Sequence, residues 1–454
     1  MTDLKNVCDD RLLDGLAAEF TANSSIPQEY YERYAIKRGL RNADNTGVMA
    51  GITRICSVDG YYIEDGEKIP REGHLRYRGL DLYDFVAGCK RDDRFGFEEL
   101  VYLLLFGSLP DSERLDEFKA LLARNRELPF DFIEDVIMRA PSPNIMNKMG
   151  SSVTALYAYD ENADDISVKN VLRQSIKLIA MLPSIMAYAY QVKRRYFYKK
   201  SMYIHTVKPE LGTAETVLRA IRSDKTYSDK EAKLLDLCLM IHADHGGGNN
   251  STFATRCVTS TGTDTYSAIG AGIGSLKGFR HGGANIKVSE MVADIFANVA
   301  DVTDEDEVRE YLRKTVRREA GDGSGLIYGM GHAVYTLSDP RAVILKRNAK
   351  ELAEEKGLID EWRLLDIIER TAPSVFSEEK GLSKTICANV DLYSGLVYRT
   401  LGIPEDLYTP MFACARVAGW CAHRLEEIAT GGRIMRPAYK SLSRPQEYIM
   451  LADR

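Results

Sequence analysis

The segment TDEDEVREYLRKTVRREAG (303–321) reads as one complete amphipathic helix, and most of the chain repeats its pattern. Thr303 is placed to cap it, and Asp304 to Glu307 fill the first turn, where acidic side chains meet the positive end of the helix dipole. Val308, Tyr311, Leu312, Thr315 and Val316 recur at helical period along one face, Lys314, Arg317 and Arg318 close the last turn, and Gly321 stops it. A second helix is announced by Asp339-Pro340, a cap followed by proline at the first helical position. Its stripe is Val343, Ile344, Ala349, Leu352 and Ala353, and its stop is Gly357. Only residues 52–78 change character. There ITRICSV and YYIED flank Asp59-Gly60, a dipeptide that favours a two-residue hairpin turn, and HLRYRG (74–79) adds a third short strand. Neither a regular repeat nor a strand-helix-strand alternation is present, so doubly wound and barrel folds have little support. The expectation is a mainly α protein with one small N-terminal β-hairpin or sheet.

At roughly 100 to 200 residues per domain, 454 residues suggest two or three domains and enough chain for a large core. No long Pro/Ser/Gly linker marks a boundary. Apolar residues make up 45% and charged residues 28%, with 14 Pro and 35 Gly, which excludes fibrous chains and disorder on a large scale. Lys plus Arg number 60 against 66 acids, a net charge of −6 without a dense basic run, so nucleic acid and anionic membranes are poor partners. An anionic substrate must then be held by locally placed arginines. The longest apolar stretch, Ile176 to Tyr190, contains Lys177 and Pro183 and falls short of the roughly 18 to 20 apolar residues that span a bilayer. The opening MTDLKNVCDD has no signal-peptide or transit-peptide character, so a soluble, cytoplasmic protein is expected. Eight cysteines (Cys8, Cys56, Cys89, Cys238, Cys257, Cys387, Cys414, Cys421) are scattered without a C-x-x-C and read as reduced, mostly buried thiols.

Few segments carry chemistry. GAGIGSLKG (270–278) fails the dinucleotide fingerprint at Ser275 and is read as glycines for close helix packing. Four of seven histidines, His242, His245, His281 and His332, lie beside glycine-rich text. His242 and His245 stand three apart, a spacing open to a metal, but without an obvious third ligand; structural or substrate hydrogen bonding is the other reading. His281 precedes Gly282-Gly283-Ala284, where a helix is expected to begin, which would keep its imidazole neutral and able to donate to an oxyanion. His332 ends Gly329-Met330-Gly331, a loop whose amides could cradle an anion. Asp391, after apolar Val390, is either a general base lifted by desolvation or a helix cap. Arg341, Arg416 and Arg436 interrupt apolar text and either pair with acids or clamp carboxylates together.

Four ordered segments, HADHGGGNNSTF (242–253), LKGFRHGGAN (276–285), GMGHAVYTLSDPRA (329–342) and NVDLYSG (389–395), resemble the signatures of the citrate synthase family. The early hairpin with HLRYRGLDLYDF and the segment RVAGWCAHRLEE (416–427) look like that family too, so the likeness covers residues 50–440. The resemblance implies a two-domain helical fold in which residues 1–281 and 391–454 form a large domain and 282–390 a small one that closes over the cleft. It implies a cytoplasmic homodimer with a shared active site, condensing acetyl-CoA with oxaloacetate on the si face and hydrolysing citryl-CoA, with neither metal nor cofactor. Asp391 would take the methyl proton, His281 would hydrogen-bond the thioester oxygen and His332 would polarise the oxaloacetate carbonyl. His245, Arg341 and Arg416 would bind oxaloacetate, with Arg436 reaching the partner's site, and Tyr328, Gly329, Met330 and Gly331 would form the CoA-binding loop. Two departures stand out: Thr336 where many relatives carry Lys or Arg near the CoA phosphates, and Gly246 where an acid often follows the histidine. Rival readings are a 2-methylcitrate synthase using propionyl-CoA, since one methylene supplies only about 1 to 3 kcal/mol of discrimination, a catalytically silent acyl-CoA-binding regulator, and a metal-dependent hydrolase on His242 and His245.

Overall fold

The hairpin turn lies six residues later than the sequence suggests. In the computed structural model, which describes residues 10–42, 44, 46–381 and 386–454, strand β1 (Cys56–Glu64) runs straight through Asp59-Gly60 and turns at Asp65-Gly66 into β2 (Glu67–Tyr77). Asp65 and Gly66 both have positive φ, 49° and 84°, as a tight primed turn requires. Asp59 is instead engaged across the sheet by Arg76 at 2.8 Å, and Gly60 sits at a register shift. A Cβ at Gly60 would lie 2.7 Å from the Val334 carbonyl, so the glycine answers to close backbone approach rather than to a turn. HLRY belongs to β2, and the third strand is Leu80–Asp81 (β3), giving the antiparallel order β1-β2-β3.

Among the described residues the rest is seventeen α-helices with short 3₁₀ and π turns, as the periodicity predicts. The 303–321 segment forms Glu305–Val316 with Val308, Leu312, Thr315 and Val316 buried. Its cap is Asp304, not Thr303: the Asp304 carboxylate accepts from the amides of Asp306 and Glu307, while Thr303 is turned back onto Asp301. The Asp339-Pro340 signal holds, with helix Pro340–Glu355 capped by Asp339 and Gly357 following at φ 73°. GAGIGSLKG lies within helix Thr265–Lys277 except for Gly278, which ends it, and a Cβ on Gly272 would meet Thr255 Oγ1 at 2.6 Å and Trp420 at 3.1 Å. Close helix packing is what these glycines permit.

The chain forms two compact units, Met1–Gly51 and Ile52–Arg454. The first carries helices Asp10–Ser24 and Gln28–Arg33; all the candidate site residues belong to the second. At the centre of that unit is helix Tyr408–Ala429, packed by Val168–Tyr196, Asn250–Thr259, Thr265–Lys277, Phe97–Phe106 and Asp229–His242. A helix enclosed on every side is expected to be apolar throughout, yet this one buries Arg416, His423 and Arg424 completely. Pro340–Glu355 and Ala284–Asn298 pack on Val390–Thr400, and Glu305–Val316 packs on Ile359–Lys380. Cys56, Cys89, Cys238, Cys387, Cys414 and Cys421 are buried free thiols and Cys257 a half-buried one; Cys8 lies outside the described residues. No helix among the described residues is long and apolar enough to cross a membrane.

Candidate active site

The site is assembled around the C-terminus of helix Asp229–His242. A Cβ on Gly419 would fall on Asp244 Oδ1 and within 2.5 Å of the Ala243 carbonyl, so only glycine lets the central helix approach this turn. The approach is fixed by the Gly419 amide on the Ala243 carbonyl (3.1 Å) and by Arg416 Nε on the His242 carbonyl (2.7 Å). Arg416 is thereby held at 0% exposure, stacked over the Phe412 ring at 4.7 Å, with both Nη atoms lacking a hydrogen-bond partner among the described residues. Burial lowers its pKa to about 10, still far above neutrality, so a full positive charge faces inward unpaired. Nearby, His245 Nε2, His242 Nδ1 and Tyr335 Oη are likewise buried without a hydrogen-bond partner among the described residues. Burial, reinforced by the arginines, pushes both histidines well below their usual pKa, so both rings are neutral. Unsatisfied polar atoms are rare in folded chains, and a convergent set marks a place shaped for a ligand.

His332 and Arg341 come from the 329–342 segment. The His332 ring lies 5.1 Å from His245, edge to face, and stacks on Tyr335 at 4.6 Å. Its Nδ1 accepts from the amides of Val334 (3.0 Å) and Tyr335 (3.1 Å), so the proton of the neutral ring is on Nε2. Arg341, 4% exposed, is gripped by Asp339 through Nε (3.0 Å) and Nη2 (2.8 Å). Burial opposes its charge, but the Asp339 pair more than offsets this and raises its pKa. The glycine loop is laced to the extended segment before Asp391: the Gly331 amide donates to the Cys387 carbonyl (2.7 Å), the Asn389 amide to the Gly329 carbonyl (2.8 Å) and Asn389 Nδ2 to the Gly331 carbonyl (2.9 Å). Gly329 has φ 81°, and a Cβ there would lie 2.9 Å from the Leu392 backbone.

Asn389, rather than Asp391, caps helix Val390–Thr400, its side chain accepting from the Asp391 amide (3.0 Å). The Asp391 carboxyl is left for chemistry. Burial lifts its pKa to about 6 against the pull of Arg341 and, more weakly, Arg416. His281 is lowered to about 4, by burial first and Arg416 second. The helix expected after Gly282-Gly283 begins at Ala284, three residues past His281. His281 Nε2 lies 3.1 Å from Ser251 Oγ, which also accepts from Trp420 Nε1 (3.1 Å). Indole has only a proton to give, so the single Ser251 proton goes either to Asn249 Oδ1 (2.8 Å) or to His281. In the second arrangement the ring proton of His281 is on Nδ1.

Of the residues singled out in the sequence, Arg416 bears electrostatically on Asp391, His281, His242 and His245, and Arg341 on Asp391, His242 and His245. Those six, with His332, form one cluster. Arg436 does not join it: it is exposed in the extended segment after Gly431, with no hydrogen bond or ion pair to the cluster among the described residues. His242 and His245 gain no third ligand, since no group of three His, Cys, Asp or Glu side chains among the described residues could hold a metal. Two of the glycine loop's amides, Met330 and Gly331, are occupied within the chain. Both departures have structural uses. Thr336 Oγ1 donates to the Gly60 carbonyl (2.9 Å), tying the hairpin to the site loop, and Gly246 adopts φ 79° with Val58 only 3.2 Å from where its Cβ would be. Sequence reasoning missed Asp244, Tyr335 and His423. His423 falls two turns from Arg416 in RVAGWCAH, and that i, i+7 spacing was the available signal.

Residues 42–438 match the family model described as citrate synthase, C-terminal domain. The citrate synthase of Haloferax volcanii is 34% identical over 410 residues, covering 88% of this chain and 94% of that protein. That of Acidithiobacillus ferridurans is 33% identical, covering 90% and 97%. Among solved structures, citrate synthase from Thermotoga maritima superposes with a TM-score of 0.71 at 28% identity, over 92% of this chain and 99% of its own. Citrate synthase from Thermoplasma acidophilum in ternary complex with carboxymethyl coenzyme A and oxaloacetate gives a TM-score of 0.73 at 25% identity, over 92% and 99%. With the family model spanning most of the chain and relatives aligned nearly end to end, this protein belongs to the citrate synthase family.

Proposed function

We propose that this protein condenses acetyl-CoA with oxaloacetate and hydrolyses the resulting citryl-CoA, an acyltransfer that converts the acyl group to alkyl. The observation that carries the reading is a carboxyl lifted to about 6 beside neutral imidazoles and an unpaired buried guanidinium. A methyl group next to a thioester is a weak acid, so its proton leaves only if a base and an oxyanion donor act together. Asp391 takes the proton, and His281, in the arrangement where Ser251 donates to Nε2, gives its Nδ1–H to the thioester oxygen as the enol forms. The enol carbon attacks the oxaloacetate carbonyl, whose oxygen accepts from His332 Nε2–H. Arg416 and Arg341 bind the carboxylates and His245 a further oxygen; Tyr328, Gly329, Met330 and Gly331 contact CoA. Water then cleaves the thioester. Since Thr336 is bonded to Gly60, the CoA phosphates need cations from elsewhere.

In this reading residues 282–390 form a small domain closing on a large one of 1–281 and 391–454, which excludes water from the enol. The protein works in the cytoplasm as a homodimer, and exposed Arg436 completes the partner's site. Sedimentation should give twice the chain mass, and Arg436→Ala should weaken oxaloacetate binding; unchanged affinity counts against a shared site. A propionyl-CoA enzyme and a catalytically silent regulator are less favoured, because the relatives are named citrate synthases and the acid-base set is intact. Oxaloacetate-dependent release of CoA thiol, run with acetyl-CoA and propionyl-CoA in parallel, tests the reading. Faster release from acetyl-CoA is expected, preference for propionyl-CoA would move the protein to the methylcitrate branch, and release from neither would remove the catalytic assignment.

A further inference from the structure

Behind the site lies a buried polar chain that the reaction does not use. Asp244 and His423 are both at 0% exposure, with His423 Nε2 at 3.2 Å from Asp244 Oδ2. Arg256 Nη1 lies 3.1 Å from His423 Nδ1 and continues to Glu426 (2.8 Å), while its Nη2 meets Glu427 (2.8 Å). A guanidinium can only donate, so Nδ1 is the acceptor and the His423 proton is on Nε2, aimed at Asp244. The Gly246 amide donates to the same oxygen, Asp244 Oδ2 (3.0 Å). Among the described residues the other oxygen, Oδ1, has no hydrogen-bond partner and faces Gly419, one turn from Arg416 on the same helix, and the two Nη atoms of Arg416 are also without hydrogen-bond partners. Thus a buried carboxylate and a buried guanidinium, each with unsatisfied atoms, share one helix face without pairing. Burial opposes the carboxylate's charge, but His423, Arg416 and the Gly246 amide hold its pKa at about 2, so the charge is permanent.

We infer that His423 is a positioning residue that latches Asp244 away from Arg416 and so keeps the Arg416 guanidinium open for a substrate carboxylate. This rests on the assignment of Arg416 to oxaloacetate. Without the latch, Asp244 turns to Arg416 and competes with the incoming anion, because buried opposite charges with unmet hydrogen bonds gain most by pairing. Arg256 supports the latch by fixing the ring tautomer.

The test is oxaloacetate titration calorimetry on the full chain. His423→Asn retains a polar side chain but cannot present a donor at the Nε2 position, whereas His423→Gln can. The Asn variant should bind oxaloacetate about tenfold more weakly or worse, the scale of one competing charged hydrogen bond, with the KM for oxaloacetate rising more than kcat falls. The Gln variant should stay close to wild type, and His423→Asn combined with Asp244→Asn should regain affinity, since no carboxylate is left to compete. Wild-type affinity in His423→Asn, or no recovery in the double variant, overturns the latch. Absence of oxaloacetate binding to the wild type would instead overturn the site assignment. If the Asn variant does not fold, nitrogen NMR of His423 in the wild type decides: an unprotonated Nδ1 with a protonated Nε2 is expected, and the reverse overturns the inference.

Discussion

Two buried arginines in this protein live under opposite conditions. Arg341, at the start of helix Pro340–Glu355, is held by both oxygens of Asp339, and its pKa is raised. Arg416, inside the central helix, makes one bond through Nε and leaves both Nη atoms unpaired, and burial lowers its pKa to about 10. The first is compensated from within the chain by a direct ion pair; the second feels Asp244 without bonding to it and, in the proposed reading, awaits the substrate's carboxylate. In that reading, a fold of net charge −6 holds a dicarboxylate by keeping one guanidinium short of hydrogen-bond partners. Asp391 feels both arginines, Arg341 more strongly, so the base and the anion site are electrostatically coupled.

The largest expected effect falls on the group between them. Asp391→Ala should lower turnover by about two to four decades and leave oxaloacetate affinity nearly intact; near-normal turnover would remove Asp391 from the mechanism. Next, Arg341→Leu strands Asp339 as a buried unpaired carboxylate and should destabilise the fold by about 3 to 5 kcal/mol in denaturant titrations. Arg416→Leu removes the attraction that helps hold buried Asp244 ionised and the bond to the His242 carbonyl, but strands no directly ion-paired acid, so it should destabilise the fold less than Arg341→Leu while oxaloacetate Kd weakens by roughly 10- to 100-fold. Equal destabilisation by the two leucines would dissolve the contrast.

Smaller effects appear with pH. Since Asp391 must be ionised, kcat/KM for acetyl-CoA should fall about tenfold per unit below its pKa of about 6, and Arg416→Leu should shift that limb to higher pH. The stability effect has the opposite sense. With its folded pKa raised above the unfolded value, Asp391 loses its proton first in the unfolded chain, so the fold weakens as pH rises from about 4 to about 6. Asp391→Asn should accordingly stabilise the protein by about 3 kcal/mol at pH 7, as seen by thermal unfolding, and have no such effect near pH 4.

Helix identity, the early sheet and the histidines that gather in the candidate site were legible in the sequence because periodicity, caps and motif spacing are local properties. The errors were local ties broken by distant partners. Asp59-Gly60 and Asp65-Gly66 have equal turn chemistry, but only the first is met by Arg76 and the Val334 carbonyl. Thr303 and Asp304 both can cap, and the carboxylate accepts two amides where the hydroxyl turned back to Asp301. His423 escaped notice because its partners, Asp244 and Arg256, are 179 and 167 residues away in the chain.

The amino-acid sequence by itself determined a mainly helical chain, a hairpin near residue 60 and the residue types of an acid-base site, since each follows from neighbours within a few turns. Which arginine is paired and which is open, which acid caps and which is lifted to a base, and which imidazole nitrogen carries the proton were decided only by tertiary structure. Those properties depend on desolvation and on partners brought within about 3 Å by packing, and neither is written in any local stretch of the chain.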